Sequence, residues 1–205
     1  MLMYKISRII FEILMRILFK LQVEGKENIP SAPYLVVPNH SSLVDPPLIG
    51  MVCKKDDISF LAKEELFTAP IIGIWSRSVG CIEVKRGANS VRSLKTAIKH
   101  LAEGKSVCIF PEGTRSLDGS LQDAKRGVGF LIAKAGVPVV PVYIQGSQEA
   151  LPKTGGINPG AIIRVKVGKP FNLETFLGKD KSKKLDYNNV ANIAMEKIAE
   201  LKDKS

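Results

Sequence analysis

The sequence predicts one α/β domain. Short apolar, β-branched runs at residues 34–37, 58–62, 79–84, 105–110, 137–142 and 162–167 read as buried strands. The stretches between them carry helical spacing with caps and breakers, and strands alternating with helices build a sheet covered by helices. At 205 residues, 45% hydrophobic and 24% charged, the chain suits a single domain with a substantial core and contains no repeat or low-complexity block. Thirty basic against twenty acidic residues leave a net charge of +10, which calls for an anionic partner: nucleic acid, a membrane surface or a phosphorylated substrate. Sparse aromatics and the lack of RNP-like or zinc-finger spacing argue against nucleic acid. Cys53, Cys81 and Cys108 are widely spaced without a CxxC pair, so neither a disulfide framework nor a zinc site is expected, and a reducing compartment is.

The first element is YKISRIIFEILMRILFKL, residues 4–21, in which Lys5, Arg8, Glu12, Arg16 and Lys20 recur three or four apart on one helical stripe. The remaining arc is nearly all Ile, Leu, Phe and Met. No apolar run approaches the roughly 18 residues of a membrane span, and no cleavage site follows. The expectation is an in-plane amphipathic membrane-association helix over residues 1–22, its basic stripe toward anionic headgroups, ahead of a domain spanning 23–205. A helix packed on its own domain is the alternative.

Tyr34 to Val37 is a strand ended by Pro38, and Ser41, Ser42, Pro46 and Pro47 mark a helix start, giving a helix from about Leu43 to Lys54. His40 then lies in a loop leaving the C-terminal end of a strand, where open α/β sheets bind ligands. Asp45, one turn on, is spaced to accept the Nδ1 proton of His40 and leave Nε2 as a base. The bland reading, a histidine near a helix end and an aspartate on its dipole, stays open at this point.

Beyond the strand at 58–62, Lys63 to Leu66 opens a helical segment broken by Pro70, and TAPIIGIW either lines an apolar pocket or belongs to the core. Val79 to Val84 is a strand ending in Lys85-Arg86-Gly87, followed by a helix from about Asn89 to Glu103 closed by Gly104, with His100 facing solvent. Arg86 leaves a strand end, where a guanidinium can grip a phosphate or remain a solvated turn charge. Lys105 to Phe110 is a strand, its Cys108 a buried hydrophobe, running into Pro111-Glu112-Gly113-Thr114-Arg115-Ser116. That loop joins a carboxylate, a hydroxyl, a guanidinium and a glycine amide, the groups that a substrate with phosphate and hydroxyls requires. Lys125-Arg126-Gly127 opens a helix to Ala135, whose first amides add a further anion-binding element. The prolines of VPVVPV, residues 137–142, mark an edge or irregular strand. Residues 162–167 alternate as a half-exposed strand, the linker 178–184 is solvated, and an amphipathic helix over 188–202 closes the chain.

Four of these segments, NHSSLVD, GCIEVKR, FPEGTRS and VPVVPV, stand in the order and spacing of four motifs of one family. Over roughly residues 23–170 the sequence resembles the bacterial lysophosphatidic acid acyltransferases of the glycerolipid acyltransferase family. The resemblance implies a glycerol-3-phosphate acyltransferase-like fold: a mixed, mostly parallel sheet flanked by helices. It implies transfer of a fatty acyl group from acyl-CoA or acyl-carrier protein to the sn-2 hydroxyl of lysophosphatidic acid, giving phosphatidic acid in phospholipid biosynthesis. His40 becomes the general base and Asp45 its orienting partner, while Arg86, Glu112, Gly113, Thr114 and Arg115 hold the acceptor's glycerol phosphate with help from Lys125 or Arg126. A thioester is already activated, so no enzyme nucleophile, metal or cofactor is implied. The expected location is the cytoplasmic face of the cell membrane, peripheral or monotopic, against an anionic lipid surface. A different lysolipid acceptor and a non-catalytic lipid-surface protein are the alternatives. A hydrolase is disfavoured because Gln145-Gly146-Ser147-Gln148-Glu149 lacks the GxSxG glycines.

Overall fold

The computed structural model describes residues 2–54, 56–84, 90–177 and 185–203. The chain opens with helix α1 (Leu2–Leu18) and strand β1 (Lys20–Glu24), followed by a short 3₁₀ turn at Lys26–Asn28. Next come β2 (Leu35–Pro38), α2 (Asp45–Val52), β3 (Ile58–Lys63), α3 (Glu64–Thr68), α4 (Pro70–Ser78), β4 (Ile82–Val84), α5 (Ser90–Ala102) and β5 (Ser106–Cys108). The second half holds α6 (Arg126–Ala135), β6 (Val139–Gln145), α7 (Ser147–Ala150), β7 (Ile162–Val167), α8 (Glu174–Leu177) and α9 (Tyr187–Asp203).

Among the described residues the strands form one sheet in the order β1-β7-β6-β2-β5-β3-β4. Neighbours from β6 to β4 are parallel; β7 runs antiparallel to β6, and β1 runs parallel to β7. This is the mixed, mostly parallel sheet that the family resemblance implied. Buried on both faces, the central strands read as continuous apolar runs, and the pleat deals their side chains alternately to two cores. Tyr34, just ahead of β2, and Val36 within it join Leu48, Ile49, Met51 and Val52 of α2 and Met15 of α1 on one face. Leu35 and Val37 join Ala97 and Leu101 of α5, Leu131 of α6 and Ile198 of α9 on the other. α6 and α9 approach so closely that a Cβ on Gly129 would lie 1.8 Å from the carbonyl oxygen of Tyr187, which admits only glycine there.

Several expectations need correction. VPVVPV is no edge: β6 lies between β2 and β7. It tolerates Pro141 because that residue turns its polar edge to the end of the β7 ladder just beyond Val167, where its carbonyl accepts the Gly168 amide at 2.9 Å and pairing resumes only at Val139 and Phe171. His100 does not face water; it is half-buried, its Nδ1 3.0 Å from Ser59 Oγ, and burial pushes its pKa down. Pro70 starts α4 rather than merely breaking a helix. The TAPIIGIW stretch packs on α1 through Trp75, whose Nε1 donates to Ser7 Oγ at 2.7 Å and whose ring meets Phe11 edge to face, while Ile72 and Ile74 point outward. α1 ends at Leu18, so Lys20 belongs to β1 and leaves the helical stripe. Lys85, Arg86, Asn89 and the linker 178–184 lie outside the described residues.

Candidate active site

Because β2 and β5 are parallel neighbours, the loops that follow them leave the same end of the sheet side by side. The first begins with Asn39. Its Oδ1 accepts the Ile144 amide at 2.7 Å and its Nδ2 donates to the Ile144 carbonyl at 2.9 Å, so the side chain stitches the end of β2 to β6.

His40 follows. Its Nδ1 lies 2.8 Å from Asp45 Oδ2, and the amides of Ser41 and Ser42 donate to that same oxygen at 2.7 Å each. The serines therefore do not cap the helix as expected; α2 starts at Asp45, with Pro46 and Pro47 in its first turn, and the carboxylate reaches back over the loop. An oxygen that already accepts two amide protons needs a donor from the imidazole, which puts the proton on Nδ1 and leaves Nε2 as the acceptor. Asp45 is 0% exposed and the His40 side chain 17%, so the carboxylate is sealed while the ring keeps an open edge.

The second loop wraps the same histidine. Phe110 stacks on the imidazole with ring centroids 4.0 Å apart and planes 25° from parallel. Glu112 Oε1 accepts the His40 amide at 3.1 Å, and the Ser116 amide donates to the His40 carbonyl at 2.8 Å. The Glu112 carboxyl is 1% exposed and therefore sits beneath the loop instead of facing the crevice. Its pKa is pushed up to about 7, chiefly by burial and further by the Asp45 charge, against the opposing pull of the His40 and Gln122 amides. Gly113, exposed and at φ 67°, turns the chain in the left-handed region, with the Lys125 stem beside it: a Cβ there would meet Lys125 Cγ at 3.3 Å. Thr114 and Arg115 are half-buried on the same loop. The Lys125 amide donates to the Pro111 carbonyl at 2.8 Å, tying the head of α6 to this loop.

Of the residues singled out in the sequence, His40, Asp45, Glu112, Gly113, Thr114, Arg115 and Lys125 thus belong to one connected group of loops. Arg126 is directed elsewhere: its guanidinium carbon lies 5.7 Å from the Tyr187 ring centre, a cation–π contact to α9. The roles of Asn39, Phe110 and Ser116 were missed, although all three lie inside or beside the quoted motifs. Ser147, whose hydroxyl is 2.9 Å from that of Ser41, gave no signal at all. Cys53 and Cys108 are buried; desolvation pushes the Cys53 thiol up to about 12 and the Cys108 thiol well above its ordinary value, so neither serves as a nucleophile.

A family model described as Acyltransferase matches residues 20–145, which contain both loops and the strands that carry them. The chain belongs to the acyltransferase family. Its relatives in the family include a chloroplastic 1-acyl-sn-glycerol-3-phosphate acyltransferase of Arabidopsis thaliana, 37% identical over 161 residues, covering 75% of this chain and 44% of that one. A 1-acyl-sn-glycerol-3-phosphate acyltransferase of Bacillus subtilis is 30% identical over 177 residues, with 85% of each chain covered. The chain spans less than half the length of the plant relative and most of the bacterial one. Among solved structures, the 1-acyl-sn-glycerophosphate acyltransferase of Thermotoga maritima superposes with a TM-score of 0.75 at 31% identity, covering 99% of this chain and 79% of that one. The acyltransferase architecture therefore extends from α1 to α9.

Proposed function

We propose that the protein transfers a fatty acyl group from an acyl thioester, carried by coenzyme A or acyl-carrier protein, to the free sn-2 hydroxyl of a 1-acyl-sn-glycerol-3-phosphate. The observation that carries this reading is the 2.8 Å contact of His40 Nδ1 with a sealed Asp45 carboxylate, which leaves Nε2 free on a partly exposed ring. Relatives named for the same reaction support the choice of acceptor.

In this scheme the acceptor hydroxyl gives its proton to His40 Nε2 as its oxygen attacks the thioester carbonyl. Asp45 stabilises the imidazolium that forms. Collapse of the tetrahedral intermediate breaks the C–S bond, and the departing thiolate recovers the proton from Nε2. General-base assistance of this kind supplies about 10²- to 10⁴-fold, the remainder coming from holding the two substrates in line. Arg115, Thr114, Gly113 and Lys125 take the glycerol phosphate, with Arg86 as a further ligand and the head of α6 adding favourable dipole charge. The reaction needs no protein nucleophile, metal or cofactor.

The proposed location is the cytoplasmic face of an anionic membrane, peripheral or monotopic, and the outer face of α1 supports the membrane contact. Tyr4 and Met15 bury one side of it against the domain, while Leu2, Met3, Ile6, Ile9, Ile10, Ile13, Leu14 and Ile17 remain exposed. Among the described residues, no helix is long and apolar enough to cross a membrane. The two readings of this helix are compatible, since it packs on its own domain and turns a second apolar face outward.

The deciding experiment is an acyl-transfer assay with purified protein, a panel of lysolipids, and both acyl-CoA and acyl-carrier-protein donors. Formation of phosphatidic acid from lysophosphatidate is the expected result. Transfer only to another lysolipid would move the reading to that acceptor, and no transfer from either donor would end it.

A further inference from the structure

His40 is held by its main chain as firmly as by its ring. Three contacts come from one loop: the Phe110 ring on the imidazole, the Ser116 amide on the His40 carbonyl, and the Glu112 carboxyl on the His40 amide. The loop is itself closed over Glu112 by the Gly113 amide on the Phe110 carbonyl at 3.1 Å and the Lys125 amide on the Pro111 carbonyl at 2.8 Å. A carboxyl 1% exposed and bonded to the backbone of the base has no surface left with which to meet an acceptor.

We propose that Glu112 is a positioning residue, which sets the height and orientation of the His40 ring through the His40 amide, and is not a ligand of the acceptor phosphate or glycerol. The proposal rests on the acyl-transfer reading for its kinetic consequence only. Acceptor binding then falls to the exposed or half-exposed members of the loop, Gly113, Thr114 and Arg115. Burial next to Asp45 favours the neutral acid, which suits a group that acts by shape and hydrogen bonding and not by charge. The charged neighbour facing it is Asp45; the His40 and Gln122 main chains contribute amides. Glu112 Oε2 is buried with no partner among the described residues, so protonation there costs no existing bond.

Two variants separate reach from charge. Glu112→Gln keeps the length and an oxygen for the His40 amide but cannot ionise; Glu112→Asp keeps the titratable carboxyl but falls one methylene short. For a positioning residue, Glu112→Gln retains kcat within about tenfold and Glu112→Asp loses on the order of 10²-fold, with the lysophosphatidate KM of both within about threefold of the parent. Equal or better turnover in Glu112→Asp, or a change confined to the acceptor KM, overturns the proposal.

A second readout needs no turnover. The chain has two histidines, so in a His100→Gln background the downfield Nδ1 proton of the single imidazole reports the His40–Asp45 bond directly. That signal should persist in Glu112→Gln and weaken or vanish in Glu112→Asp, with amide spectra confirming that both are folded. An unchanged signal in both variants overturns the positioning role even if the parent protein acylates no lysolipid, whereas loss of the parent's activity with the expected signal pattern overturns only the reaction assignment.

Discussion

Asp45 Oδ2 receives three donors, the Ser41 and Ser42 amides and the His40 imidazole, and this crowding fixes the tautomer of His40. Asp45→Asn offers an amide oxygen of lower charge and a competing N–H donor. The expected outcome in steady-state assays is a kcat lower by about 10²- to 10⁴-fold with acceptor KM little changed. A large rise in KM with kcat preserved would refute the orienting role. Glu112 makes a second prediction, this time of stability. Its ordinary pKa of 4.5 is raised to about 7 in the fold, so the fold prefers the protonated acid. That stabilisation is fully present below pH 4.5 and is lost as the pH climbs through about 7, a swing of about 3 kcal/mol. Urea unfolding at about pH 4 and about pH 8.5 should show that swing in the parent minus Glu112→Gln difference; a pH-independent difference would contradict it.

α1 shows how an element can be apolar on two sides. The sequence carried the polar stripe plainly but gave no sign of which arc the domain would cover, because that depends on α2 and α4, brought against it from residues dozens of positions away. Arg8 in fact donates to the Lys54 carbonyl at 2.5 Å and Arg16 pairs with Glu12 at 3.0 Å, so part of the stripe is tied to the protein itself. Removing the helix would strip Tyr4 and Met15 from the core and would confuse folding with membrane binding. Replacing Ile9, Ile13 and Ile17 together by serine touches only the outer face, where Ile17 is 75% exposed. At about 1.5–3 kcal/mol for each fully buried side chain, and less for one only partly immersed, the triple variant should lose on the order of 10²-fold in vesicle partitioning with an unchanged melting temperature. Unaltered flotation with vesicles would remove α1 from the membrane interface.

For the molecule entire, the surplus of ten positive charges acts at a distance that salt can cut. The Debye length falls from about 10 Å at 0.1 M to about 3 Å at 1 M, so affinity for anionic vesicles should fall on the order of tenfold across that range, while binding to neutral vesicles changes little. Equal salt response on both would assign binding to apolar insertion and not to charge. The alternation of elements was legible because apolar β-branched runs and capped helical segments are local signals. Sheet order was not, since the insertion of β2 between β6 and β5 depends on pairings between Leu35 and Val139 and between Leu35 and Val107. The same distance hid the burial of Glu112, which as a residue type in a polar loop reads as a surface ligand. It also hid the tethering of Arg126 to Tyr187, sixty-one positions on.

Asn39 gives the site a property of its own. Its side-chain amide is, chemically, a peptide group turned sideways, and it exchanges two hydrogen bonds with Ile144 as a main-chain neighbour would. The sheet thereby gains one more rung than its backbone supplies, and His40 is mounted next to that rung instead of swinging from a hinge. A histidine anchored this way is aligned before any substrate arrives, so binding energy need not be spent assembling it. Asn39→Asp, which keeps the shape but turns the donor into a second acceptor against the Ile144 carbonyl, would loosen the mounting while leaving the His40 and Asp45 side chains themselves unchanged.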